Sequence, residues 1–201
     1  MMKTENLPES WVTVHRAMQG HHDGCLEVAH TDIKDGAFGK WLAGEHSARE
    51  MYATYQLTAG FQNGCVAMAQ PRAGVCAATP TGSLWSLRVF WSRLRLQLSL
   101  SWVQWHRFKT VEKVVQEHAS SETWWVRCLV VGRQFRGMGL ESRLLRQALA
   151  PCSDAEALLS IPQTGATRIV EERGGRKVTE LEWDDDSTGL ILYRIPIGSF
   201  H

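Results

Sequence analysis

Between Thr123 and Leu149 the chain changes character twice within twenty-seven residues, and this stretch constrains the fold more than any other. Thr123-Trp-Trp-Val-Arg-Cys-Leu-Val-Val131 is short, aromatic and β-branched, the pattern of a strand buried on both faces. Gly132-Arg-Gln-Phe-Arg-Gly-Met-Gly-Leu140 then breaks the pattern with three glycines. Glu141-Ser-Arg-Leu-Leu-Arg-Gln-Ala-Leu149 follows as a helix, with Leu140, Leu144, Leu145 and Leu149 on one face. A buried strand that feeds an amphipathic helix needs a sheet for that helix to cover. The fold class is therefore α/β or α+β.

The same stretch carries the chemistry. A strand running through an Arg/Gly loop into a helix presents free N–H groups and the positive end of the helix dipole to a phosphate. Gly139 lets the backbone come close to the ligand, and Arg133 and Arg136 add charge matched to a pyrophosphate.

The flanking sequence reads as further layers of one domain. Trp11–Val14 is expected as a first strand, His21–Ile33 and Ser47–Leu57 as helices, and Cys65–Ala69 with Val75–Ala78 as a hairpin around Gln70–Gly74. Ala157–Ile161 is expected as a second buried strand. Thr164–Arg173 reads as a short helix ended by Gly174-Gly175, and Gly189–Ile195 as a late strand. Leu84–Gln116 has two readings. Leu94 to Trp102 alternates as a strand does, yet Leu87, Trp91, Leu94, Leu98, Trp102 and Trp105 also share one helical stripe.

Composition narrows the function classes. Twenty-two basic and twenty-one acidic residues give a net charge of +1, which argues against a nucleic-acid or anionic-membrane binder acting through net charge. The balance is local, however. Arg88, Arg93, Arg95, Arg107 and Lys109 occur without an acid between Leu84 and Thr110, whereas Glu180, Glu182, Asp184, Asp185 and Asp186 cluster near the end. Five scattered cysteines form neither a disulfide framework nor a zinc motif, so reduced thiols in a cytoplasmic protein are expected. No apolar leader opens the sequence, and no uncharged run reaches the roughly 20 residues of a membrane span. Nine tryptophans are an excess that suits a core, an interface or an apolar cleft.

With these residues in view, Leu129-Val-Val-Gly-Arg-Gln-Phe-Arg-Gly-Met-Gly-Leu-Glu-Ser-Arg-Leu-Leu145 resembles the pyrophosphate-binding motif of the GNAT superfamily of N-acetyltransferases. The Trp124-Trp125 strand start and the turn at Arg173-Gly-Gly-Arg-Lys-Val178 are similar to the branch containing puromycin N-acetyltransferase, which favours helix for Leu84–Gln116. The resemblance implies a single domain with a mixed, splayed sheet flanked by helices. Its acceptor side would lie at about residues 10–120 and its CoA side at about 121–200. It also implies that the backbone of Leu129, Val130 and Val131 holds the pantetheine arm of acetyl-CoA. The N–H groups of Arg136, Gly137, Met138, Gly139, Leu140 and Glu141 would hold the pyrophosphate.

The reaction it implies is direct attack of a small-molecule amine on the thioester, in a soluble enzyme for which a homodimer is one expected state, with no nucleic-acid, membrane or metal partner. Three positions depart from the family pattern. Glu141 stands where Gly or Ala is usual. Thr167 and Glu171 stand for an Asn and the Tyr that commonly serves as general acid, and Gly175-Arg176 replaces Gly-Phe. Glu171 is the candidate replacement acid and Glu122 the candidate base. Cys128 and Tyr193 read as core residues, and His106 and His118 as surface or capping residues. The alternative is a GNAT domain that has lost catalysis and serves as an acyl-CoA-binding or protein-interaction module.

Overall fold

The computed structural model describes residues 12–35, 46–82, 86–152, 156–162, 167–172, 174–183 and 186–197. In chain order the elements are β1 (Thr13–Arg16), α1 (His22–Asp35), α2 (His46–Asn63), β2 (Cys65–Gln70), β3 (Gly74–Pro80), α3 (Leu87–Ser99), α4 (Trp102–Glu117), β4 (Trp124–Val131), α5 (Leu140–Leu149), β5 (Glu156–Pro162), α6 (Thr167–Glu172), β6 (Arg176–Trp183) and β7 (Asp186–Pro196). The strands form one sheet in the order β1-β2-β3-β4-β5-β7-β6. Every neighbouring pair is antiparallel except β4 and β5. That parallel pair requires a crossover, and α5 supplies it.

Helices cover both faces. On one, Leu140, Leu144, Leu145 and Leu149 of α5 pack with Ala67, Ala69, Cys76, Val131, Leu159 and Tyr193. Each leucine is at most 1% exposed, which contributes about 2 kcal/mol apiece in apolar burial. On the other face α1 and α2 lie over β2, β3 and β4 through Cys25, Ala29, Leu57, Val75, Cys128 and Val130. Beside them α2, α3 and α4 lie over Trp125, Leu158, Leu190 and Leu192. The small side chains of β2 and β3 let these helices approach closely. Gly74 is tighter still: a Cβ there would stand 2.8 Å from both the Leu144 side chain and the Val130 carbonyl.

The connection from β3 to β4 is an excursion. Two antiparallel neighbours need only a tight turn, yet here they are joined by α3 and α4. Hydrogen bonds clasp its base. The Thr81 N–H and hydroxyl donate to the Thr123 carbonyl at 3.0 and 2.9 Å, and the Ser120 N–H donates to the Thr123 hydroxyl at 2.8 Å.

The helix favoured over strand for Leu84–Gln116 is present, divided into α3 and α4. Ser101 ends the first and caps the second: its hydroxyl accepts the Gln104 N–H, and the Gln104 side chain accepts the Ser101 N–H. This reciprocal cap is locally more favourable than continuing α3 through Leu100. Leu84 and Trp85 lie outside the described residues, as do Trp11, Asp184 and Asp185. The first strand starts later than expected, at Thr13, and α2 runs on to Asn63 before the Gly64 turn. All five cysteines are buried and unpaired with one another.

Candidate functional site

The backbone of β4 is paired very differently on its two sides. Against β3 it is matched from Trp124↔Pro80 to Val131↔Gly74. Against β5 the pairing stops after Trp124↔Ala157, Trp125↔Leu158 and Val126↔Leu159. Beyond that point β5 continues along β7, with Ser160↔Leu192 and Ile161↔Ile191. Among the described residues none pairs with Leu129, Val130 or Val131 on the β5 side. The result is a slot in the middle of a sheet, edged by strand backbone. Such an edge accepts an extended, amide-bearing ligand as if it were one more strand. Leu129 is the residue of this half that is partly exposed.

The register of β4 also slips where the slot opens. Ala77 faces Cys128 and Ala78 faces Val126, so Arg127 is an extra residue, a β-bulge. Arg127 and Cys128 consequently turn to the same face, toward α2. The Arg127 guanidinium is buried there. It donates from Nε to Thr79 Oγ1 at 2.8 Å and from Nη1 to Gln56 Oε1 at 3.0 Å, and it stacks 4.1 Å above Trp125. Burial lowers its pKa from the ordinary arginine value, partly offset by Tyr55 and Glu112 nearby.

The far end of the slot leads into the loop. Phe135, 3% exposed, anchors it, and the Gly132 N–H is tied to the Ala73 carbonyl at 2.9 Å. Gly137 and Gly139 then take φ of +82° and +67°, values that other residues reach only at a cost. Gly139 is the N-cap of α5 and has no side chain to offer the helix. The helix therefore begins with N–H groups that no cap satisfies, directed past exposed glycines. Arg136 folds back so that its Nε donates to the Val131 carbonyl at 3.3 Å, which fixes the end of β4 to the loop. Glu141 stands in the first turn, partly exposed. It stabilises the helix dipole there but opposes an anion.

On the α5 face, at the level where the slot opens, Val126, Leu159 and Tyr193 stand in one row across β4, β5 and β7. The Tyr193 hydroxyl donates to Glu171 Oε1 of α6 at 3.0 Å. Burial raises the phenol pKa above its ordinary value, and the Glu171 contact raises it further. The phenol is thus a neutral donor with its partner beside it.

Comparison with known proteins gives the same architecture. No protein-family model matches the chain, and no curated protein matches it in sequence. Solved structures do match. A histone acetyltransferase HPA2 and related acetyltransferase from Corynebacterium glutamicum superposes with a TM-score of 0.66 at 16% identity, covering 92% of this chain and 96% of that one. A mosquito arylalkylamine N-acetyltransferase like 5b gives 0.61 at 12%, covering 92% and 99%. The yncA protein from Salmonella typhimurium, solved with its cofactor acetyl-CoA, gives 0.54 at 11%, covering 92% and 94%. The chain has the GNAT fold.

The expected cofactor residues fall together: Leu129, Val130 and Val131 edge the slot, and Arg136 to Glu141 form the loop and helix start at its far end. Thr167 begins α6. Glu171 lies at the other end of that helix, exposed and beside Tyr193. Glu122 is elsewhere. It is exposed in the turn before β4, at the paired end of the seam, seven residues and about 23 Å of extended strand from Leu129. Cys128 is buried among α1 and α2 side chains. His118 caps α4 with its ring near the Val114 carbonyl, and His106 is exposed.

Two residues of the site were not singled out from the sequence. Tyr193 read only as core, and its hydroxyl partner comes from an element twenty-two residues away. Arg127 had a signal, being the single charge inside an otherwise apolar strand, but only the bulge gives it a place.

Proposed function

We propose that this protein is an acyl-CoA-dependent N-acyltransferase that uses acetyl-CoA and acylates the amine of a small molecule. One observation carries the reading: a strand edge with no strand partner on the β5 side over Leu129–Val131 runs directly into an uncapped helix N-terminus behind two left-handed glycines. An edge that offers amide pairing followed by an anion site fits a pantetheine arm followed by a pyrophosphate, in that order and orientation. The acetyl-CoA bound by the Salmonella neighbour and the amine named for the mosquito neighbour support the same reading.

In this proposal acetyl-CoA supplies a thioester carbon open to direct attack by an amine. The chain supplies position and proton transfer. Leu129, Val130 and Val131 hold the arm through backbone groups, and Gly137 to Glu141 hold the diphosphate through N–H groups. Tyr193, kept neutral and aligned by Glu171, protonates the departing thiolate, so the proton donor comes from β7 rather than from α6, and the proton of the attacking amine passes to solvent water. Glu122, at the paired end of the seam, stays outside this proton path despite its candidacy as base.

The test is a melting experiment combined with thiol release. Acetyl-CoA raises the melting temperature, and an amine panel yields at least one acceptor whose acylation releases free thiol. Tyr193→Phe and Glu171→Gln each lower kcat by roughly 10²-fold, the usual scale for a positioned general acid. Glu122→Gln leaves it unchanged. No thermal shift at millimolar acetyl-CoA rejects the proposal. A shift without turnover on any amine favours the non-catalytic alternative.

A further inference from the structure

The excursion between β3 and β4 carries a surface outside the residues assigned above to cofactor binding and proton transfer. Six of the most exposed large apolar side chains in the described chain lie on α3 and the first turn of α4. They are Leu87 at 73%, Phe90 at 55%, Trp91 at 53%, Leu98 at 79%, Trp102 at 80% and Val103 at 54%. At about 100° per residue the four on α3 share a stripe roughly 100° wide, centred about half a turn from buried Val89 and Leu96. Helix α3 is therefore apolar on two opposite sides. The inner side packs on α2 and α4. The outer side, continued around the Leu100–Ser101 elbow by Trp102 and Val103, is left mostly uncovered by the described residues. It amounts to on the order of 800 Å² of apolar surface, more than the ~300–600 Å² of the largest patch on a typical monomer.

Charge and shape together select an occupant. Arg88 and Arg95 are exposed along one flank of the stripe, and no acid occurs from Ser86 to Val111. The next carboxylate, Glu112, is buried and already accepts from Arg93 at 2.5 Å and Tyr55 at 3.2 Å. Glu117 is paired with Lys113. A second copy of this chain would bring the same arginines and no carboxylate to meet them. A partner helix needs a groove to lie in. The cavity between α2 and α3 takes in Arg88, Trp91 and Arg95 at one edge of the stripe. Leu87, Phe90, Leu98, Trp102 and Val103 lie outside it, so a helix seated there would leave most of the stripe uncovered. Trp, Phe and Leu exposed on one helix face, with arginines alongside, suit the boundary between headgroups and acyl chains.

We propose that the α3–α4 hairpin docks on an anionic lipid surface, with Leu87, Phe90, Trp91, Leu98, Trp102 and Val103 in the interfacial layer and Arg88 and Arg95 at the lipid phosphates. The balanced net charge conceals this site because the compensating acids lie elsewhere in the chain.

The experiment is co-sedimentation of the full-length protein with phosphatidylcholine vesicles, with and without about 30 mol % phosphatidylglycerol, read together with tryptophan fluorescence. At about fivefold per arginine, binding to the anionic vesicles is tighter by roughly twentyfold, with a blue shift of emission. Leu98→Ser combined with Trp102→Ser lowers binding at least about a hundredfold and leaves the melting temperature unchanged, since both side chains are exposed. Arg88→Gln combined with Arg95→Gln removes the anionic preference while keeping weak binding to both vesicles. The proposal is overturned if neither vesicle sediments the protein or if both bind it equally. It is overturned too if the serine variant binds as before. A concentration-dependent dimer that Trp102→Ser dissolves, without vesicle binding, would assign the face to a second copy instead.

Discussion

The two sides of β4 present one strand in two states. Toward β3 it is a closed ladder over its whole length. Toward β5 it is paired at one end and open at the other. Nothing in the residues of β4 distinguishes the sides, because the peptide groups that point left and right are chemically the same. The difference comes from β5, which turns away to stay with β7. A binding slot can thus be produced by the path of a neighbouring strand, with the binding strand itself contributing little but backbone.

The largest effect on this contrast should come from Gly139→Asp. Aspartate tolerates a left-handed backbone better than most residues and satisfies a helix N-terminus. The apo protein therefore keeps its melting temperature while the shift induced by acetyl-CoA disappears, as differential scanning fluorimetry would show. Arg127→Leu acts at the point where the slot opens. It strands the Gln56 carbonyl and the Thr79 hydroxyl in the interior, with an expected loss of about 3 kcal/mol in urea unfolding. On the closed side, Gly74→Ala forces a methyl against the Val130 carbonyl and Leu144. A loss of roughly 1–3 kcal/mol is expected, with acetyl-CoA affinity unchanged once the protein is folded. Equal damage to affinity from Gly74→Ala and Gly139→Asp would erase the distinction between the sides.

The smallest effect is on pH dependence. Burial raises the Cys25 and Cys152 thiols from 9.0 to about 11. The folded state holds these protons more firmly than the unfolded chain does. Their contribution is complete below pH 9 and is lost as pH rises through 11. The urea midpoint should fall between pH 8.5 and 11, with little change from this source between pH 6 and 8.

The strand, loop and helix of Trp124–Leu149 were legible in the sequence because each has its own local signature: apolar continuity, clustered glycines, then leucines at helical spacing. The hairpin at Cys65–Ala78 was legible for the same reason. The elbow at Ser101 was not, because Leu94–Trp102 satisfies two periodicities at once and the deciding contact is a cap rather than a hydrophobic pattern. The Tyr193–Glu171 contact was hidden for a different reason. It depends on β7 lying beside β5 and on α6 packing back across them, which is tertiary information. Gly137 and Gly139 could be named from sequence, but the missing cap on α5 is a fact of geometry.

The bulge at Arg127 works on β4 like a one-letter insertion in a reading frame. Upstream, Trp125 and Val126 alternate between the α2–α4 face and the α5 face. Downstream the alternation resumes out of step, with Leu129 and Val131 toward α5 and Cys128 and Val130 toward α1 and α2. Regular alternation through Arg127, without the bulge, would exchange those faces and place Leu129 and Val131 where Cys128 and Val130 now pack. Deleting Arg127 would remove the bulge and leave every downstream side chain on its present face. One residue of backbone length therefore decides which side chains border the slot and which line the core beneath it.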